Sequence, residues 1–302
     1  MISRLAALAG AIASAVVLAG CGLGAGPGTS NVSLTVTRDF GAGRVAAITK
    51  GKVPGSETVM RMLERSFRIG TRYGGGFVES INGLAGTSSR RDWFYYVNGT
   101  MASVGAAQQA VHHGDKIWWD LHNWMSPEQP QAVVGSYPEP FVHGAGGRRF
   151  PTTLECANDV QKACQRVSAA LAALGVKVAS QTLGGGGSGT DSLAVLVGTW
   201  KDLRPSDAGA FISKGPASSG IYAKFSGGKL DLLNPQGQVR RPLGPGAGLV
   251  AATAQTSGAP TWLITGTDAA GVEAAASSLN ASSLRDHFAL AVQGGQRLSV
   301  PQ

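Results

Sequence analysis

Three extended segments separated by turn dipeptides constrain the N-terminal half of this chain more strongly than any other feature. Asn98-Gly99 and Gly114-Asp115 tolerate the positive φ angles that tight turns between strands require, and Asn82-Gly83 repeats the signal. We therefore predict three strands joined by short turns. The predicted strands are Phe77–Ile81, Trp93–Val97 and Lys116–Leu121.

Two further strands and a helix are predicted ahead of these segments. Apolar residues alternate with polar ones over Val32–Val36, as in a half-buried strand, and Val45–Thr49 is similar. Ser56 is a plausible N-cap for a helix. One face of that helix would carry Val59, Leu63 and Phe67. Two strands, a helix and three strands is the order of a β-grasp-like α+β unit, which we assign to residues 31–125.

The ordered motifs of this unit also carry a family resemblance. Phe77–Gly83, Trp93–Gly99, Val104-Gly105 and Gly114–Trp119 together resemble the transcobalamin-like C-terminal (DUF4430-type) domain, which also occurs in bacterial surface lipoproteins. The resemblance covers roughly Val32–Trp124. In the eukaryotic vitamin carriers the related domain closes over one face of cobalamin. The resemblance therefore implies a β-grasp-like fold and makes cobalamin a candidate ligand.

Aromatic side chains are dense in the same unit. Neighbouring residues of a strand face opposite sides of a sheet, so Trp93 and Tyr95 share one face and Tyr96 lies on the other. Trp118 and Trp119 divide in the same way. One set should pack under the helix, and the other is left for a ligand, a partner protein or the second domain. The candidate ligand-binding residues are Trp93, Tyr95, Tyr96, Trp118 and Trp119.

The N-terminus predicts export and lipid anchoring. Arg4 precedes a short apolar run that ends in Leu18-Ala19-Gly20-Cys21, which is typical of a cleaved signal peptide over residues 1–20. A cysteine at the cut site resembles the bacterial lipobox, in which the thiol is diacylated. That resemblance implies a lipidated, flexible tether over residues 21–30 and an extracytoplasmic protein anchored to the bacterial cell membrane. The alternative is an ordinary secretion signal with an incidental cysteine.

Residues 132–302 are predicted to form a mixed α/β domain of unknown role. Apolar runs end in Gly135-Ser136, Gly198-Thr199 and Gly266-Thr267, and the last leads into Asp268, a predicted helix N-cap. The turn over Ser226–Lys229 joins two strand-like runs, which is a hairpin signal.

Two cysteines remain once Cys21 is lipidated. A helix is predicted from Asn158 to Leu174, with Cys164 inside it and Cys156 just before it. In an exported domain this pair predicts a Cys156–Cys164 disulfide, provided that the chain folds back onto the helix. Two buried free thiols are the alternative.

Motifs for catalysis, metal binding and nucleic-acid binding are not evident. The formal charge of +8 is spread along the chain without a basic cluster interleaved with aromatics, which argues against nucleic acid. Nucleophile-elbow, phosphate-loop and metalloprotease motifs do not occur. His112, His113, Asp115 and His122 form the one cluster that could hold a metal, and a solvated turn is the expected alternative.

These features lead to three hypotheses for function. The first is a non-catalytic, lipid-anchored binding protein that presents a small molecule or an envelope protein partner at the membrane surface, in a cleft between the two domains. The second is a structural or assembly adaptor of the cell envelope that binds protein or wall polymer. An envelope hydrolase is the third, because two carboxylates distant in sequence can meet in space.

Overall fold

The computed structural model of the chain describes residues 28–86, 90–123, 130–184, 187–254 and 259–302. The predicted signal peptide, Cys21 and most of the tether lie outside these residues, as do Trp124 and residues 126–129 of the predicted linker. Within the described ranges, helices are too short or too polar to cross a membrane.

The N-terminal unit is a helix packed on a five-stranded sheet. The sheet has the order β2-β1-β8-β6-β7, in which β1 and β8 are parallel and the other neighbours antiparallel, and β3-β4-β5 form a smaller sheet. The elements are β1 (Val32–Arg38), β2 (Gly43–Lys50), α1 (Val59–Ser66), β3 (Ile69–Arg72), β4 (Phe77–Ile81), β5 (Leu84–Ala85), β6 (Arg91–Val97), β7 (Thr100–Met101) and β8 (Lys116–Asn123). All five predicted strands and the helix are present.

Helix α1 covers one face of this sheet. Val59 and Leu63 pack into a core with Val32 and Leu34, because alternate residues of a strand share a face. The helix begins later than predicted: Thr58, not Ser56, is the N-cap, and its side-chain oxygen accepts from the amide of Arg61 at 3.3 Å.

The C-terminal unit is built on a seven-stranded mixed sheet with the order β10-β9-β11-β16-β15-β17-β18. Strands β10, β9, β11 and β16 are parallel, and the remaining pairs are antiparallel. The strands are β9 (Thr152–Cys156), β10 (Val178–Thr182), β11 (Leu193–Thr199), β12 (Ala223–Ser226), β13 (Lys229–Leu233), β14 (Val239–Leu243), β15 (Gly248–Thr253), β16 (Thr261–Gly266), β17 (Ala289–Gln293) and β18 (Gln296–Val300). The helices are α2 (Gln161–Ala172), α3 (Trp200–Leu203), α4 (Asp207–Ser213), α5 (Pro216–Ser219), α6 (Ala269–Ser277) and α7 (Ala281–Leu284).

Apolar cores lie on both faces of this sheet. This agrees with its continuously hydrophobic strands, since a strand that is buried on both faces has no polar side. Strands β12, β13 and β14 form a separate small sheet that includes the predicted hairpin. Asp268 is the N-cap of α6, as predicted, and accepts from the amide of Gly271 at 2.8 Å. The mixed content of strands and helices is therefore confirmed.

The segment after the predicted linker joins the two units and is not a strand of the large sheet. The amide of Val133 donates to the carbonyl of Gly99 at 2.8 Å, and the amide of Val134 donates to the carbonyl of Phe288 at 3.1 Å. The adjacent residues Val133 and Val134 thus connect the turn between β6 and β7 to the residue that precedes β17. The apolar run from Ala132 is buried because it lies between the units.

The Cys156–Cys164 disulfide is present, with 6.0 Å between the two Cα atoms. Cys156 ends β9, and a short 3-10 turn over Asn158–Val160 folds the chain back so that Cys164 lies near the start of α2. Helix α2 is shorter at both ends than predicted. Closing so small a loop stabilises the fold by about 2.5 kcal/mol in the chain-entropy description.

Candidate functional site

The predicted aromatic residues divide between the two faces of the N-terminal sheet. Trp93 and Trp119 lie on the face under α1 and are only 6% and 3% exposed. Tyr95 is half-buried on the same face and stacks on Trp119 with 4.8 Å between ring centroids. Burial raises the pKa of Tyr95 to about 12. These three side chains line a cavity of about 210 Å³, which is below the volume of a typical drug-sized pocket.

The opposite face is covered by the C-terminal unit. Tyr96 and Trp118 pack against Phe288, with ring centroids 5.5 and 5.0 Å apart, and both are buried. Burial raises the pKa of Tyr96 well above its usual value. Docking of the second domain, one of the three possibilities left open by the sequence, accounts for this face. The five candidate residues do not form one open platform, so a flat corrin could not lie on them without displacing a packed element.

A buried polar network lies at the centre of this docking face. Thr37, Trp118, Asp120 and His122 share the face because they alternate along β1 and β8. Asp120 accepts from the Thr37 hydroxyl at 2.5 Å and pairs with Nδ1 of His122 at 2.7 Å. The His122 ring is stacked between the rings of Phe40 and Phe94, at 4.4 and 4.5 Å.

Two backbone amides complete the network around Asp120. Phe40 and Gly41, in the turn between β1 and β2, donate to its two carboxylate oxygens at 3.0 and 2.9 Å. The carboxylate is fully buried, so its charge is stabilised by these donors rather than by water. The network holds the β1–β2 turn against the C-terminal unit.

Beyond this buried interface the same sheet face opens into a cleft between the two units, with a volume of about 350 Å³. Among the described residues, four serines and threonines line the cleft, three of them on β1 and β2. They are Ser33, Thr35, Thr49 and Ser136. Trp118 lies at the boundary between the cleft and the buried interface. Alternation along β1 and β8 is the sequence signal that could have identified Ser33, Thr35 and Trp118 as residues of one face.

Three cations and one carboxylate line the same cleft. Arg44 on β2 binds Asp286 with two nitrogens, at 2.9 Å from Nε and 2.7 Å from Nη2, and so links the two units. Lys116 donates from Nζ to the carbonyl of Tyr137 at 2.8 Å. Arg285 is exposed and forms no ion pair among the described residues.

The two cations outside the Arg44–Asp286 pair repel each other. Burial lowers the pKa of Lys116, and the positive charge of Arg285 lowers it further, against the opposing effect of Glu139. An anion bound between Lys116 and Arg285 would relieve that repulsion. Arg285 and Asp286 had no local sequence signal, because their neighbours in space are more than a hundred residues away.

The histidines singled out in the sequence lie apart from this cleft. Asp115 is buried and accepts from the His112 amide at 2.7 Å and from Asn98 Nδ2 at 2.8 Å, while burial raises its pKa. His113 pairs with Ser30 at 2.9 Å. His122 is in the interface. Across the described ranges, histidine, cysteine and acidic side chains do not come together in threes as a metal site requires.

Comparison with known proteins identifies part of the N-terminal unit. Residues 56–123 match the family model described as "Domain of unknown function (DUF4430)", so the chain contains a DUF4430 domain. No curated protein matches the chain. One similar solved structure, from Ruminococcus gnavus ATCC 29149, is 16% identical and covers 30% of this chain and 95% of its own. That protein is described provisionally as metal-binding, and the TM-score of 0.25 is too low for the similarity to carry an argument.

Proposed function

We propose that this chain is a non-catalytic binding protein that holds a small anionic molecule in the cleft between its two units. The observation that carries the proposal is the cleft itself, where Lys116 and Arg285 repel each other beside serine and threonine hydroxyl groups that have no hydrogen-bond partner among the described residues. Concave sites between domains with a few convergent polar groups are common ligand sites. A ligand of up to about 350 Å³ would fit.

The adaptor hypothesis needs the aromatic sheet face for a partner. That face is occupied by the chain's own C-terminal unit through Phe288, which favours the small-molecule hypothesis. Cobalamin, the candidate ligand implied by the family resemblance, would need more apolar surface than the cleft provides. It therefore serves as the contrasting probe in the binding test.

We also propose that the N-terminal unit is a β-grasp-like, transcobalamin-like module. Two features support this: its first and last strands, β1 and β8, are parallel neighbours at the centre of the sheet, and α1 crosses one face.

The binding proposal predicts an effect of charge in the cleft. Titration of citrate into the purified protein, followed by calorimetry, should show saturable binding that weakens about tenfold or more in Arg285→Gln, since a charged hydrogen bond is removed. Arg285 is exposed, so the variant should fold normally. Lys52→Gln, an exposed cation outside the cleft, is the matched control and should bind like the wild type.

Two results would contradict the proposal. One is the absence of saturable citrate, glucuronate or phosphate binding at millimolar concentrations. The other is saturable binding of cobalamin, with tryptophan quenching, that is unaffected by Arg285→Gln; this would favour the vitamin ligand over a small anion.

We further propose that the protein is anchored outside the cytoplasm through lipidated Cys21. Cys21→Ala should move the protein from the membrane fraction to the soluble fraction, because the acyl chains are then absent. Labelled fatty acid should enter the wild type and the Cys156→Ser/Cys164→Ser double variant but not Cys21→Ala. Absence of label from the wild type would show that the motif is an ordinary secretion signal.

A further inference from the structure

A second basic cavity lies in the C-terminal unit, away from the interdomain cleft. Its volume is about 560 Å³, and it shares no lining residue with the cleft. It is formed between α3, α4 and the β12–β13 hairpin. The residues that matter most for its chemistry are Trp200, Lys201, Arg204, Lys224, Phe225 and Lys229.

Four of these residues are cations, and none of the described residues that line the cavity carries a carboxylate. Among the described residues, the side chains of Lys201, Arg204, Lys224 and Lys229 form no ion pair or hydrogen bond, and all four residues are exposed. Two acids lie close by in the chain: Asp202 accepts from Thr199 in the capping box of α3, and Asp231 lies opposite Lys224 in the hairpin register but forms no ion pair among the described residues. Four unpaired cations around one concavity raise the local concentration of anions.

The wall of the cavity also offers flat apolar surface. Trp200 and Phe225 are stacked, with 4.6 Å between ring centroids and 11° between ring planes. Both residues are only half-buried. Half-buried aromatic rings can stack with a further planar ring.

The position of the cavity in the sheet gives independent support. Strands β11 and β16 are parallel neighbours, so their carboxyl ends meet at one edge. Trp200 directly follows β11, and Thr267, another lining residue, directly follows β16. Open α/β sheets bind ligands in the crevice outside the carboxyl ends of parallel strands.

We propose that this cavity binds a small organic phosphate that carries a planar ring, of the class of nucleoside diphosphates. Arg204 and the three lysines contact the phosphate groups, and the ring stacks against the Trp200–Phe225 wall. Arginine and lysine are the side chains that bind phosphate oxygens most strongly. A cavity of this volume accommodates a ligand of that size.

The test is a set of calorimetric titrations of the purified protein with four probes. Adenosine 5′-diphosphate carries ring and phosphates, pyrophosphate the charge alone, adenosine the ring alone, and glycerol 3-phosphate the chemistry of a lipid headgroup. We expect saturable binding with the diphosphate about tenfold tighter than pyrophosphate or glycerol 3-phosphate, and adenosine weakest. Equal affinity for glycerol 3-phosphate and the diphosphate would overturn the planar-ring assignment.

Variants separate this site from the cleft. Arg204→Ala/Lys229→Ala should weaken diphosphate binding at least tenfold, and Trp200→Leu should weaken diphosphate but not pyrophosphate. Arg240→Ala, an exposed cation on β14 outside the cavity, should have no effect. Absence of diphosphate binding would overturn the site. Binding that is lost in Arg285→Gln but retained in Arg204→Ala/Lys229→Ala would overturn it as well. Citrate binding in the cleft is measured separately, so the two proposals can fail independently.

Discussion

Asp120→Asn should lower the free energy of unfolding by about 3–5 kcal/mol, the range for removing one partner from a buried charged network. The carboxylate is fully buried and accepts from Thr37 and from the amides of Phe40 and Gly41, besides pairing with His122. An asparagine amide offers one oxygen and turns two hydrogens toward existing donors. Denaturant unfolding followed by tryptophan fluorescence measures the loss.

Asp39→Asn is the matched control for this variant. Asp39 lies near the same turn and pairs with Arg38 and Arg91, but its side chain is 43% exposed. Exposed ion pairs contribute about 0–1 kcal/mol, and asparagine tolerates the positive φ of this position. Equal losses in the two variants would show that the buried network contributes no more to the free energy of unfolding than an exposed ion pair does.

Gly41→Ala should separate the two units while leaving each one's local structure intact. Gly41 has φ +84°, and a Cβ atom there would lie 1.8 Å from the carbonyl oxygen of Asp286, in the C-terminal unit. A backbone carbonyl cannot move aside as a flexible side chain can. We therefore expect the free energy of unfolding to fall by about 3 kcal/mol or more, from left-handed strain and overpacking together. Denaturant unfolding measures this loss. Citrate binding should also weaken, because the cleft opens.

Gly74→Ala isolates the backbone strain from the clash. Gly74 has φ +68° in the same unit, but a Cβ atom there would meet no atom of the described residues within 4 Å. We expect a loss of about 1 kcal/mol and unchanged citrate binding. If Gly41→Ala is no worse than Gly74→Ala, the close approach of Gly41 to Asp286 is not a determinant of docking.

Local patterns predicted the N-terminal unit well because its elements are set by short-range chemistry. Alternation located β1, and the Asn98-Gly99 turn located the end of β6. The helix start was misplaced because both Ser56 and Thr58 can cap a helix, and only the packing of Val59 against the sheet selects Thr58. The Cys156–Cys164 pairing was predictable because both cysteines belong to one strand–turn–helix segment.

By itself, the sequence determined which side chains share a sheet face, since that follows from the two-residue period of a strand: Trp93 with Tyr95 on one side, and Phe94 with Tyr96 on the other. It could not decide what covers each face. Phe288 covers Tyr96, and Asp286 meets Arg44, across separations of about two hundred residues or more. Such contacts are selected by the packing of whole units, so only the tertiary structure placed the cleft beside the buried interface and brought Arg285 and Lys116 to its lining.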